Sequence, residues 1–551
     1  METLYEKLVK YKQSDYYPFH MPGHKRNLSF LETIKEGICE QSLRMPSSGS
    51  GKTFDRHNCG LSKNGISLKQ SSCQIEENEI SLMWNSYGLD ITEIEGFDNL
   101  HDAGGILADA MERAARVCGA EKTYFLVNGS TCGLLAGISA CVQHGDRIIV
   151  ARNCHKAVYH AIEINELAPS YIYPQEVKQY GICGGILAEN LREMLITYPN
   201  AKLVVVTSPT YEGVVSDIQA LADTAHEFGV PILVDEAHGA HFGQSDFFPK
   251  SALSCGADIV IQSMHKTMPA FTQTALLHLG HHTMADKERI EKYLSIYQTS
   301  SPSYLFMASI DWCMDFLEQN PKRVFEIYEK RIKNFYERSG KLRELEVFCP
   351  VLPDRIGGKK VYRNKTDYNE IFDFDFSKIN LFVKNTSGIT GSQLYDILLK
   401  DYHLQMEMVS KDYVLAMTSI CDTDEGMERL IEALEKIDMD CVQNKNITEK
   451  ESLKKLQVMS EVYDWKNCMQ HNPMKYTPYQ VQGMQGKSVL FAESQGKITK
   501  EYIYLYPPGI PLLVPGEEIT SELIERMEVY RNAGLKVCGQ RENGYIVVVN
   551  K

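Results

Sequence analysis

Two charged residues stand where charge is least expected. Lys266 comes just after the apolar run Ile259-Val-Ile-Gln262, inside Ser263-Met-His-Lys-Thr267, and Asp235 closes the run Ile232-Leu-Val-Asp235, 31 residues earlier. Lysine is seldom buried without a role. A carboxylate in the place of Asp235 can ligate a metal, act as a base, or face a protonated ring nitrogen. Either residue alone is as easily structural as functional. Together, in this order, they supply what pyridoxal phosphate (PLP) chemistry requires. The lysine offers an amine to hold the aldehyde as a Schiff base, and the carboxylate keeps the pyridine nitrogen protonated so that the ring serves as an electron sink.

Two further runs fit the same chemistry. Val127-Asn-Gly-Ser130-Thr131-Cys-Gly133 lies between a strand pattern and a helical one. Glycine and hydroxyl residues at a helix N-terminus offer N–H and O–H donors to a phosphate; the alternative is an ordinary helix cap. Arg152-Asn-Cys-His155-Lys156 also follows an apolar run. A histidine there either stacks on a cofactor ring or satisfies a loop carbonyl.

Positioning these groups falls to a repeated βα pattern. Thr123–Val127, Arg147–Ala151, Leu203–Thr207, Ile232–Asp235, Ile259–Gln262 and Thr274–Leu279 are short and apolar without alternation, as suits strands buried on both faces of a mostly parallel sheet. Thr131–Gln143 and Ile218–Phe228 have helical patterning between them. Ligands of such sheets bind at the carboxyl ends of the strands, and each polar run above follows a strand. The expected fold class is α/β, a mostly parallel sheet with helices on both faces, followed by smaller α+β domains. The expected division is an N-terminal arm over 1–35, a loop-rich insertion over 36–85 that is rich in Ser, Gly, Asn and Gln, and a large domain over 86–310. A small α+β domain follows over 311–445, opening on charged helical sequence, and a C-terminal domain over 446–551 after a polar linker.

Composition narrows the alternatives. With 58 Lys+Arg against 72 Asp+Glu, the formal charge of -14 argues against nucleic acid as the partner. The 15 cysteines are scattered and never spaced Cys-x-x-Cys, which suits reduced thiols in the cytoplasm. No run has the roughly 18 apolar residues of a membrane span. Ser47-Ser-Gly-Ser-Gly-Lys-Thr53 resembles a phosphate-binding loop, but Pro46 stands where its first glycine belongs and no apolar strand precedes it. His57, Cys59 and Cys73 lack zinc spacing. No metal is expected.

The chain resembles the group III ornithine/lysine/arginine decarboxylases, PLP enzymes of fold type I (aspartate-aminotransferase-like). The resemblance is carried by His20-Met-Pro-Gly-His-Lys25, Asp90-Ile-Thr-Glu-Ile-Glu-Gly-Phe-Asp-Asn-Leu-His-Asp102, Asn128-Gly-Ser-Thr131 and Arg152-Asn-Cys-His-Lys156. It continues through Ser208-Pro-Thr-Tyr-Glu-Gly213, Asp235-Glu-Ala-His238, Ser263-Met-His-Lys266, Thr299-Ser-Ser-Pro-Ser-Tyr304 and Tyr506-Pro-Pro-Gly-Ile-Pro-Leu-Leu-Val-Pro-Gly-Glu517. These motifs cover nearly the whole chain outside the insertion.

The resemblance implies that Lys266 holds the cofactor, that Asp235 pairs with the ring nitrogen, and that His155 and Ala237 lie against the two ring faces. It also implies that Ser130, Thr131, Ser263 and His265 hold the phosphate, with Thr210 and His238 near the ring. The site would lie in a homodimer interface, with Ser300 or Ser301 reaching the partner's cofactor and Glu517 helping to read the substrate's distal cation. Met21 begins the Met-Pro-Gly-His motif, so the form expected is the short one, without the larger members' N-terminal wing domain. The implied reaction is decarboxylation of a basic amino acid, with arginine to agmatine, feeding polyamine synthesis, preferred over lysine or ornithine. Lys266 or a nearby histidine would return the proton to Cα. An aminotransferase or another PLP lyase on the same fold is the alternative enzyme, and a catalytically retired PLP-binding regulator the alternative of another class.

Overall fold

A computed structural model describes residues 14–25, 86–319, 321–356, 359–362, 370–448, 471–505, 509–532, 535–541 and 544–550. The loop-rich insertion and its Ser47–Thr53 run lie outside them.

The centre is a seven-stranded sheet made of β1 (Lys122–Leu126), β2 (Arg147–Ala151), β3 (Ala168–Ile172), β4 (Ala201–Thr207), β5 (Ile232–Asp235), β6 (Ile259–Gln262) and β7 (Ala275–Leu279), in the order β1-β7-β6-β5-β4-β2-β3. From β6 to β3 the neighbours run parallel. β7 is antiparallel to both β6 and β1. The apolar runs become strands because helices cover both faces: Ile148, Ile149, Val150, Leu233, Val234, Ile259 and Val260 have no exposed surface. Each such side chain contributes roughly 1.5–3 kcal/mol by leaving water.

Helix α1 (Gly129–Cys141) lies across this sheet on small residues. A Cβ at Gly133 would come within 2.6 Å of Leu126 Cδ1, and one at Gly137 within 2.8 Å of Leu233 Cδ1. That close approach sets the N-terminus of α1 at the carboxyl ends of the central strands. Helix α2 (Lys156–Ile164) starts after β2, with His155 as its cap residue.

Helices Tyr304–Gln319 and Pro321–Ser339 lead into a second sheet of β8 (Leu345–Val347), β9 (Lys378–Val383), β10 (Met408–Val409) and β11 (Tyr413–Met417), antiparallel in the order β8-β9-β11-β10. The long helix Asp424–Thr448 follows. It runs through the start of the polar stretch that composition suggests as a linker. Near the N-terminus, Tyr17–Phe19 pairs in parallel with Leu404–Met406, so this arm is stitched to the small domain. The C-terminal part has its own apolar cluster, including Phe491, Leu513, Leu523, Met527 and Ile546. Among the described residues no helix is long and apolar enough to cross a membrane.

Candidate active site

A cavity of about 560 Å³ opens at the carboxyl ends of β4, β5 and β6. The ten residues expected from the sequence to hold the cofactor all line it: Ser130, Thr131, His155, Thr210, Asp235, Ala237, His238, Ser263, His265 and Lys266. They come from five separate stretches of chain, and the parallel sheet brings them to one edge.

Asp235 is the last residue of β5, aligned with Thr207 of β4 and Ile261 of β6. It is 4% exposed, and its carboxylate accepts a hydrogen bond from the Ala237 N–H at 3.2 Å. Burial raises its affinity for a proton, and the nearby Lys266 partly offsets this. Lys266 lies in the single helical turn Met264–Thr267 directly after β6. Burial lowers its pKa, with Asp235 and Glu407 opposing. Its Nζ lies 3.0 Å from His238 Nε2. His238 is itself held well below the usual imidazole range by burial and by the neighbouring lysines, so it is neutral.

His155 Nδ1 accepts from the Ala157 N–H at 3.2 Å, which fixes the ring at the start of α2. Burial, with Lys266 and Lys156 nearby, takes it down to about 3. A neutral imidazole is suited to lie against an aromatic ring. At the other end of the cavity, the Ser130 and Ser263 hydroxyls bond one another. The cap residue Asn128 makes no side-chain bond to the first turn of α1. That turn's N–H groups therefore have no side-chain acceptor from their own cap, and an anion would find donors there. Asn153 Oδ1 is buried beside the cavity with no hydrogen-bond partner among the described residues.

These features fit PLP: an amine and a buried carboxylate at adjacent strand ends, a neutral histidine on one wall, and an open helix N-terminus flanked by hydroxyls.

Sequence reasoning misses part of this wall. Glu407 accepts hydrogen bonds from the Met21 N–H at 2.9 Å and from the Tyr211 hydroxyl. Lys378, 0% exposed at the start of β9, reaches His238. The burial of Lys378 was discoverable, since it sits in Phe376-Ser-Lys-Ile-Asn-Leu-Phe382, a strand pattern with a lysine inside. Glu407 has no such signal. Glu517 does not line this cavity. It is 0% exposed, and its carboxylate accepts from Arg152 at 3.2 Å, Asn472 at 3.1 Å and the Val514 N–H at 2.9 Å. All three bonds fall on Oε2, while Oε1 is buried without a hydrogen-bond partner among the described residues.

Fold and site together define a fold type I enzyme, the class whose members are PLP-dependent. Within that class, residues 84–381 match the Orn/Lys/Arg decarboxylase major domain and residues 456–542 match the C-terminal domain of the same family. The chain belongs to the Orn/Lys/Arg decarboxylase family. It is 30% identical to an arginine decarboxylase of Bacillus subtilis over 98% of this chain and 96% of that one. It is 33% identical to the uncharacterised B. subtilis protein YaaO over 80% of this chain and 85% of that one. A solved lysine decarboxylase of Francisella novicida superposes with a TM-score of 0.70 at 20% identity, covering 88% of this chain and 79% of that one, which shows the shared fold.

Proposed function

We propose that this chain is a PLP-dependent decarboxylase of a basic amino acid, with arginine, converted to agmatine and CO2, the first choice of substrate. The observation that carries the reading is the placement of Lys266 and Asp235 at the ends of adjacent parallel strands, in one cavity with the open N-terminus of α1. When bound, PLP supplies the electron sink that makes loss of CO2 from Cα possible.

The residues around it divide the remaining work. Lys266 offers the amine that holds the aldehyde. Asp235 keeps a proton on the ring nitrogen opposite, favoured there because burial leaves its charge little else to meet. Ser130, Thr131, Ser263, His265 and the first turn of α1 hold the phosphate. His155 and Ala237 bracket the ring, and Thr210 lies at its edge. Lys266 and His238 are the groups able to deliver a proton to Cα. Glu212 and Glu407 also line the cavity, and two carboxyl groups on its wall favour a substrate with a distal cation. Arginine is preferred to lysine because several relatives similar over more than 90% of the chain are arginine decarboxylases. We read the active unit as a cytoplasmic homodimer with the site in its interface, where the exposed Ser300 or Ser301 would reach the partner's cofactor.

The test is direct. PLP-loaded protein is incubated with arginine, lysine and ornithine separately, and the product is identified. Agmatine and CO2 released without a keto-acid acceptor support the reading. A keto acid with transfer of the amine would replace it with an aminotransferase. Borohydride reduction followed by mass mapping is expected to leave the cofactor on Lys266, and an adduct on another lysine would overturn the assignment of the site.

A further inference from the structure

A second buried amine stands beside the first. Lys378 Nζ lies 3.2 Å from His238 Nδ1, while His238 Nε2 lies 3.0 Å from Lys266 Nζ. One imidazole thus bridges two lysines from different domains. The stem of Lys378 is fixed by packing: a Cβ on Gly213, which has φ +103°, would come within 2.9 Å of Lys378 Cγ and 3.0 Å of the Asp375 carbonyl.

Counting protons constrains this array. A neutral imidazole has one N–H and one lone pair, and an ammonium can only donate. With both lysines charged, one of the two contacts would set N–H against N–H. An imidazolium would need both amines neutral. With His238 neutral, one lysine must be neutral to take the imidazole N–H on its lone pair, and the other donates to the free imidazole nitrogen.

The surroundings choose Lys378 as the charged one. Asp375, three residues before it, is held anionic by His241 at 3.0 Å and by the Ser377 hydroxyl at 2.7 Å and N–H at 2.9 Å. The carboxylate on the Lys266 side, Asp235, is pushed towards its protonated form by burial. Glu407 faces both lysines. Further charged and titratable groups around the array are Lys25, whose Nζ donates to the His20 and Met417 carbonyls, His155 and His265, which face His238, and Tyr211, whose ring packs edge-on against His238 at 4.7 Å and whose hydroxyl donates to Glu407. Burial also brings Lys378 down to about 7, so it gives up a proton near neutrality.

We propose that Lys378 is a positioning residue for the chemistry at Lys266: its ammonium donates to His238 Nδ1, so that the imidazole presents Nε2–H to the Lys266 nitrogen. This rests on the reading of Lys266 as the amine that holds the cofactor. The arrangement keeps Lys266 as a free amine, the form that attacks an aldehyde. It also makes a relay. When the Lys266 nitrogen takes the proton from Nε2, Nδ1 takes one from Lys378, and His238 ends neutral as it began.

The test uses the full chain stripped of cofactor with hydroxylamine. Trace labelling with acetic anhydride across pH, read by mass mapping of the peptide carrying Lys266, gives the midpoint at which that amine becomes reactive. In Lys378→Met the midpoint is expected to rise by about one pH unit or more, as loss of a near like charge and of a hydrogen-bonded tautomer demands. Lys378→Arg should restore it. In a His238→Phe background, Lys378→Met should move the midpoint distinctly less, by the part that charge alone contributes. An unchanged midpoint in Lys378→Met overturns the proposal. So does a shift of the same size without His238, which would mean that Lys378 acts by charge alone. If Lys378→Met does not fold, Lys378→Gln carries the same comparison. Borohydride trapping on the loaded wild type is run in parallel. An adduct on another lysine would refute the reading of the site, whereas the labelling midpoints report on the Lys266–His238–Lys378 array alone.

Discussion

Asp235 is the residue on which substitution separates binding from chemistry. Its carboxylate is buried, takes one hydrogen bond from its own turn, and faces the space beside Lys266. Asp235→Asn keeps the shape and removes the charge that holds a proton on the ring nitrogen. Borohydride trapping on Lys266 should persist, while kcat falls by roughly 10²–10³-fold, the scale of losing one preorganised electrostatic partner. Retained kcat would remove Asp235 from its assigned role. Lys266 and Asp235 are legible in the sequence because each breaks the end of an apolar run. Lys378 interrupts an apolar strand pattern in the same way, so its burial is open to the same reasoning. Glu407 and Tyr211 meet only because the small domain folds over the loop after β4, a contact 196 residues apart that no local pattern carries.

Strands and helices of the large domain are legible for a related reason. β2, β5 and β6 have the bounds their apolar runs predict, and the others differ by a residue or two. β3 escapes because Pro169 and Ser170 interrupt its apolar character; among the described residues it pairs only with β2, and at a sheet edge a proline is tolerated. The reversal of β7 leaves no mark either, since a strand buried on both faces reads alike in both directions.

β7 also carries a group with a pH consequence. His278 has no exposed surface, and its ring lies 2.8 Å from the Thr123 hydroxyl and 3.1 Å from Gln262 Oε1. Burial takes it down to about 3. The unfolded chain, with an imidazole near 6.5, therefore binds this proton first, and stability is lost as pH falls from about 6.5 towards 3. Urea midpoints measured over that window should decline. In His278→Gln they should decline less steeply, by the contribution of one proton. An identical slope in both proteins would mean that this ring is charged in the fold.

At the scale of the whole molecule, the C-terminal part completes the site through a buried ion pair. Arg152 precedes the loop that carries Asn153 and His155. Its guanidinium, 0% exposed, donates to the Pro511 carbonyl at 2.6 Å, the Leu512 carbonyl at 3.3 Å and Glu517 at 3.2 Å. Leu505, Ile510 and Leu512 from the same region line the cavity. Removing one partner of such a pair strands the other charge away from water, at a cost of roughly 3–5 kcal/mol, whereas replacing both with apolar side chains is often close to neutral. Glu517→Leu should therefore lower the urea midpoint strongly and loosen the His155 loop, raising the PLP concentration needed to load the protein. Adding Arg152→Met should recover most of the stability and the loading. The two readings of Glu517 diverge at this point. A carboxylate that clamps domains leaves the double variant with a near-normal KM for the amino acid, because no substrate contact has been removed. A carboxylate that reads the substrate's distal cation leaves KM raised in the double variant however well it folds. The bonds that Glu517 makes to Arg152, Asn472 and Val514 predict the first result.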